Sequence, residues 1–446
     1  MANSANWATM VFTCLVIISA LFDQQSKAGC EEQESSASPR RIAVARLASA
    51  AGSLAVRPAA GTSYRPLEAD GELLSTDRFV AFPSARLVSK DGKVTVDFPA
   101  DLDGRTPWPV FDTAGTLHAS EDVSLDLTLE TGRVLVRNSA GVGAVVLRLR
   151  FWKQNWTIAL ENPEAQVLFD VTSRWPAGTR FRPRQEGDKS ERASPLASAV
   201  LLVVKGNVSV DVGGVAVALS APPGPAELRW DSLQGPPRQP RKLEQLPAWA
   251  ELARPLSKQG QDLAAALDRL RTAFVHNPER ALTQFAQSDN NAERSAAWLM
   301  ALAFDNLELL ERHLQAPRSR AEWDLLVALL RHWLARHPHH DQDLYLILTQ
   351  RIHYSDAEAR IVVQLLLGFS EEDLRLPETY QVLLDYLGHE RSTIRNLAAW
   401  HLVRLVPATQ RFPYKPDGTQ QDALRTQQQW RQLLPPDSLP SSPNDK

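Results

Sequence analysis

"QGPPRQPRKLEQLP", residues 234–247, is the stretch on which the reading of this chain turns. Its prolines lack a backbone donor and fix φ, so neither a helix nor a central strand runs through it. The hydrophobic period differs on its two sides. Before it, apolar residues recur every second position; after it, they recur at helical spacing.

From Ile42 to Leu233 the alternation is strict. "VTVDF" sets Val94, Val96 and Phe98 against Thr95 and Asp97. "VSLDLTL" sets Val123, Leu125, Leu127 and Leu129 against Ser124, Asp126 and Thr128. "LRLRF" does the same with Leu147, Leu149 and Phe151, and "VLFDV" and "VSVDV" repeat the device. One packed and one wet face per strand predicts antiparallel sheets. "DGK", "ETGR" and "VGG" supply the positive φ that hairpin turns require. Many short strands with frequent turns predict an all-β sandwich or jelly roll.

After Pro247 the sequence is helical. "AEWDLLVALLRHWLA", "EARIVVQLLL" and "IRNLAAWHLVRL" each carry an apolar stripe, and "SDAE" (355–358) and "SEED" (370–373) are N-terminal capping signals. At 100° per residue, Ile394, Leu397, Ala398, Leu402 and Leu405 share one face. Helices of this length with short connections pack as antiparallel neighbours.

Two resemblances sharpen this picture. "GSLAVRPAAGTSYRPLEADGELLSTDRFVAFPSARLVSKDGKVTVDF" (52–98) resembles a FecR-type domain, with Ser75 where a glycine–threonine pair is more typical. "LTLETGRVLVRN" (127–138) and "APPGPAELRWDS" (221–232) resemble later parts of the same envelope proteins. The helical half resembles a HEAT-like stack; Tyr414 and Trp430 would seal its end. The resemblance implies a FecR-like extracytoplasmic module that regulates, relays a signal or scaffolds. In founding members of that family the relay runs across the membrane to a sigma factor. A helical repeat implies protein partners, because such stacks present interaction surfaces. The fold class expected is therefore multidomain: an all-β FecR-type region, then an all-α HEAT-like region.

The chain divides into an export or anchor segment (1–30), a polar tether (31–41), the β domain (42–233), the linker (234–247), the helical domain (248–434) and a tail (435–446). "WATMVFTCLVIISALF" (7–22) is apolar and uncharged, short of the roughly 20 residues of a comfortable span, and fits a secretory h-region. "AGC" (28–30) ends like a lipobox, which makes Cys30 a candidate lipid-attachment site. Cleavage near Ala28 and a retained anchor are the alternatives. All three place the protein in the cell envelope, extracytoplasmic and membrane-associated through the N-terminal segment or a lipid.

Composition removes other classes. A net charge of -3 gives no basic character for nucleic acid. Two cysteines, both in the first thirty residues, exclude a disulfide scaffold and a cysteine-ligated zinc module. HExxH, GxSxG and GxxxxGKS are absent from the sequence. No catalytic residue, cofactor or metal ligand is assigned, and a non-enzymatic role is expected. Two features keep a chemical reading open. "HPHHDQD" (337–343) gathers histidines and aspartates, the common ligands of transition metals. The bland account is helix punctuation: Pro338 ends one helix, and Asp341 and Asp343 sit in the first turn of the next, where the dipole favours negative charge. Trp152 and Trp156, four apart in a strand region, would share a face and offer a glycan-stacking platform. A glycan-binding or glycan-processing jelly roll is accordingly the alternative function.

Overall fold

A computed structural model describes residues 41–184, 193–235, 239–310, 314 and 318–434. The export segment, nearly all of the polar tether and the acyl candidate Cys30 lie outside the described residues, as does the tail from 435. From Ile42 onward the chain forms one compact unit.

The alternating sequence folds as strands β1 (Ala43–Leu47), β2 (Leu54–Arg57), β3 (Arg65–Pro66), β4 (Glu72–Leu74), β5 (Arg78–Ala81), β6 (Ala85–Ser89), β7 (Val94–Phe98), β8 (Thr113–His118) and β9 (Leu125–Asn138). Then come β10 (Val145–Phe151), β11 (Gln154–Leu160), β12 (Gln166–Arg174), β13 (Leu196–Lys205), β14 (Asn207–Val212), β15 (Val215–Ser220), β16 (Gly224–Asp231) and β17 (Arg241–Leu243). They pair into two layers. One runs β4-β1-β6-β7-β9-β12-β13-β16-β17. The other runs β3-β2-β5-β8-β9-β10-β11-β14-β15. Every pairing is antiparallel except β9 with β10. The inward residues of both layers form one core, including Leu47, Leu87 and Phe169 from the first and Phe79, Leu149 and Ile158 from the second.

Strand β9 belongs to both layers. Its first half pairs with β8 and β10, its second half with β7 and β12. The change falls at Gly132, where φ is 101° and a Cβ would lie 2.3 Å from the carbonyl oxygen of Asp112. Only glycine fits there. The "ETGR" expected as a hairpin turn is this crossing point inside one long strand. A glycine that permits positive φ looks the same in sequence whether the chain reverses or merely bends.

The helical sequence gives, among the described residues, α1 (Lys258–His276), α2 (Pro278–Gln287), α3 (Asn291–Ala303), α4 (Arg320–Arg336), α5 (His340–Gln350), α6 (Asp356–Leu367), α7 (Pro377–Tyr386), α8 (Ser392–Leu405) and α9 (Gln420–Leu433). Ser355 and Glu358 form a reciprocal capping box at α6. The "SEED" signal instead caps a single 3-10 turn at Asp373–Arg375. Ile394, Leu397, Ala398 and Leu402 are buried on one face of α8, and Tyr414 and Trp430 lie 6.4 Å apart at the end of the helical region.

The architecture is therefore a β region followed by a helical region. The stretch expected as a linker is built into the fold. Arg241–Leu243 pairs with β16, and Leu246 and Trp249 pack over Leu135, Leu168 and Leu202 on the outer face of the first layer. On the other layer, Ala55, Val80, Phe82 and Ala114 pack against Leu267, Leu270 and Phe274 of α1. Phe82 and Phe274 meet edge to face at 5.6 Å.

Candidate functional site

The β and helical regions are joined by buried charge. Asp112, just before β8, faces α4. His332 Nε2 lies 2.7 Å from Asp112 Oδ1, and Arg336 donates to Asp112 Oδ2 at 3.0 Å. Burial alone would raise the Asp112 pKa, but the Arg336 charge and the His332 hydrogen bond hold it down at about 2. Arg336 also donates to the Leu302 carbonyl at 2.8 Å and to Asp305 at 2.7 Å. Asp305 in turn accepts from Trp333 Nε1 at 3.0 Å and faces Arg78 at 3.5 Å. Each charged group of this network faces an opposite charge, which marks it as a structural joint.

A second connection is of a different kind. Between β12 and β13 the chain leaves the β region as an arm, "WPAGTRFRPR" (175–184), and lies along α4, α5 and α6. Trp175 Nε1 donates to the Leu334 carbonyl at 2.9 Å. Gln364 on α6 then grips the arm twice: its Nε2 donates to the Thr179 carbonyl at 3.0 Å, and its Oε1 accepts from the Phe181 N–H at 3.0 Å. Gln342 on α5 repeats the grip three residues on, donating to the Arg182 carbonyl at 3.0 Å and accepting from the Arg184 N–H at 2.8 Å. A carbonyl at i and an N–H at i+2 are the pair that an extended strand offers a neighbouring strand. Each glutamine amide therefore stands in for one residue of a missing strand. Side chains add to this. Arg180 pairs with Asp373, Arg184 donates to His339 Nδ1, and Phe181 meets Tyr345 with ring centroids 5.5 Å apart. Gly178 has φ 78° and passes Ser370 so closely that a Cβ would sit 2.5 Å from the serine Cβ.

The "HPHHDQD" stretch is the corner of this groove. α4 ends at Arg336, α5 begins at His340, and Asp341 and Asp343 lie in its first turn, as helix punctuation requires. The histidines have separate tasks. His340 stacks on Trp333 at 3.8 Å, with Nδ1 2.7 Å from the Trp333 carbonyl, and burial lowers its pKa to about 4. His339 receives Arg184, and His337 is lowered first by burial and then by Arg336. Among the described residues no group of three or more His, Cys, Asp or Glu side chains is placed to hold a metal. His332, the nearest further histidine in sequence, points to Asp112 instead.

The tryptophan platform is not formed. Trp156 is fully buried at 0% exposure, between Phe151 and Phe169, while Trp152 stands at the β10–β11 turn with φ 49° and 40% exposure. The turn between the two residues resets the strand alternation, so a spacing of four does not place them on one face. Sequence reasoning also missed Gln342, Gln364 and the arm. The available signal was length: residues 175–195 separate two strands that pair antiparallel, and connections beyond about 12–15 residues are commonly functional.

No family model matches the chain, and no curated protein matches it. Among solved structures it is similar to a TPR-domain containing protein from Parabacteroides distasonis, at 10% identity over 91% of this chain and 96% of that chain. The TM-score of 0.16 is too low to carry an argument about fold or function. No helix among the described residues is long and apolar enough to cross a membrane.

Proposed function

We propose that this chain is a non-enzymatic protein-interaction scaffold of the cell envelope, in which a FecR-like β region is joined to a HEAT-like helical region that holds polypeptide. The observation that carries this reading is the arm. A surface of α5 and α6 binds a segment of chain through its backbone, using paired amide contacts that any extended peptide could supply. Recognition of that kind suits assembly or signal relay. The ionisable groups buried at the junction serve as mutual partners, which fits a rigid support for such a surface.

Envelope placement rests on the apolar stretch 7–22 and on Cys30, with anchoring through that segment or through a lipid. The protein partner would lie on the same side of the membrane. Fractionation with protease protection tests this: the chain should follow the envelope fraction and become protease-accessible when the outer barrier is opened. Recovery as a soluble, protected cytoplasmic protein overturns the placement. Crosslinking from a photoreactive residue at Tyr345 or Gln364 tests the interaction role. Crosslinks confined to the chain's own arm under every growth condition would count against it.

A further inference from the structure

Beside the inner end of the arm, between β12, α4 and α6, lies a cavity of about 330 Å³. This is within the usual range for a small-molecule pocket. Phe111, Trp175, Leu366 and Trp400 are among its walls. Three of its polar side chains have an atom or a charge without a partner among the described residues. Arg331 makes no ion pair among the described residues; its guanidinium instead lies over the Trp400 ring at 5.6 Å. Trp400 Nε1 is buried and donates to nothing. His332, only 6% exposed, has its Nε2 committed to Asp112 while its Nδ1 is unpartnered.

An arginine without a counter-charge on the wall of a largely apolar cavity asks for an explanation. Of the other cations nearby, Arg404 covers Trp400 at 3.9 Å but pairs with Asp324 at 3.0 Å, and Arg174 on the cavity wall is exposed to solvent. Arg331 is neither paired nor fully exposed. Burial, followed by Arg404, lowers its pKa, the sign of a cation that lacks a counter-charge. The fold also makes room for it. Gly368, at the C-terminus of α6 with φ 87°, lies where any Cβ would be 3.2 Å from an Arg331 nitrogen.

We infer that this cavity binds a small organic monocarboxylate with a flat or short apolar body. The carboxylate accepts from the Arg331 guanidinium, and the apolar body lies between Trp175, Phe111 and Leu366. Guanidinium suits this task because its planar donors match carboxylate geometry. The proposal is independent of what the arm groove binds.

Calorimetric titration of the full chain with phenylacetate, hexanoate and the neutral phenylacetamide tests it. One carboxylate per chain is expected to bind, and the amide at least about tenfold more weakly, because a charge-assisted hydrogen bond is about twice as strong as a neutral one. Arg331→Met keeps the stem over Trp400, and is expected to weaken phenylacetate about tenfold or more with an unchanged melting temperature. The acid–amide comparison needs no variant, so it decides even where a substitution unfolds the protein. Equal binding of acid and amide, undiminished binding by a folded Arg331→Met, or no binding of either carboxylate at millimolar concentration overturns the inference.

Discussion

Replacing Gln364 by alanine removes both contacts that hold Thr179 and Phe181. Each hydrogen bond contributes roughly 0.5–1.5 kcal/mol net, so the arm loses about 1–3 kcal/mol of docking free energy. At 1.4 kcal/mol per factor of ten, the opening constant of this part of the arm rises roughly five- to 150-fold. Amide hydrogen exchange reads that constant directly when closing is fast. The Phe181 amide should exchange faster by that factor. The Arg184 amide, held by Gln342, serves as an internal comparison and should change less. Gln342→Ala should give the reciprocal pattern. Gln364→Glu keeps an acceptor for Phe181 but loses the donor to Thr179, and should fall between wild type and alanine. The melting temperature should move little in each case, since local opening does not require global unfolding. Unchanged Phe181 exchange in a folded Gln364→Ala protein would refute the clamp.

Four further outcomes are expected. Trp156→Ala should cost about 3–5 kcal/mol of stability in urea unfolding as a core deletion, whereas Trp152→Ala should stay within about 0.5 kcal/mol; similar costs would contradict the placement of the two rings. Asp112 has a folded pKa of about 2 against an ordinary 3.8, so it stabilises the fold above pH 3.8 and loses that contribution as pH falls through 2; the loss amounts to about 2 kcal/mol and should be missing from the acid titration of Asp112→Asn. His401 is buried with Nε2 2.7 Å from the Leu365 carbonyl and a pKa lowered by burial from 6.5 to about 4. Below pH 6.5 the unfolded chain binds a proton that the folded chain refuses, so stability should fall between pH 6.5 and 4 by up to about 3 kcal/mol, a slope that His401→Gln should flatten. A fragment ending at Leu246 exposes Val80, Phe82 and Ala114 and strips Asp112 of Arg336 and His332; it should bind a hydrophobic dye and lack a cooperative transition, and cooperative unfolding would show that the β region stands alone.

Much of the fold was legible because burial imposes a period on the sequence. The faces of "VTVDF" and "LRLRF" lie as the alternation requires, and the capping box at Ser355 starts α6 where the residues place it. What was not legible depends on contacts between distant residues. Gly132 permits a turn or a crossing between layers, and only the close approach of Asp112 distinguishes them. Trp156 is separated from Trp152 by a turn, so counting positions misplaced it. The linker reading of 234–247 followed from its prolines, yet Arg241–Leu243 still pairs, because a strand at the edge of a sheet needs donors on one side only.

The histidine-rich corner shows why such a site escapes local reading. A metal site is sought by residue type, since ligand chemistry restricts it to a few side chains. A clamp on main chain carries no such restriction on its target, and on the receptor side it needs only an amide at the right place. Gln342 lies inside "HPHHDQD" among residues that look more chemical than it does. Its role depends on α5 starting at His340, which follows from Pro338 ending α4 and from the first-turn aspartates. It also depends on Gln364, 22 positions later, meeting the same arm. The histidines and aspartates thus fix where the helix begins, and the helix start places the glutamine that grips.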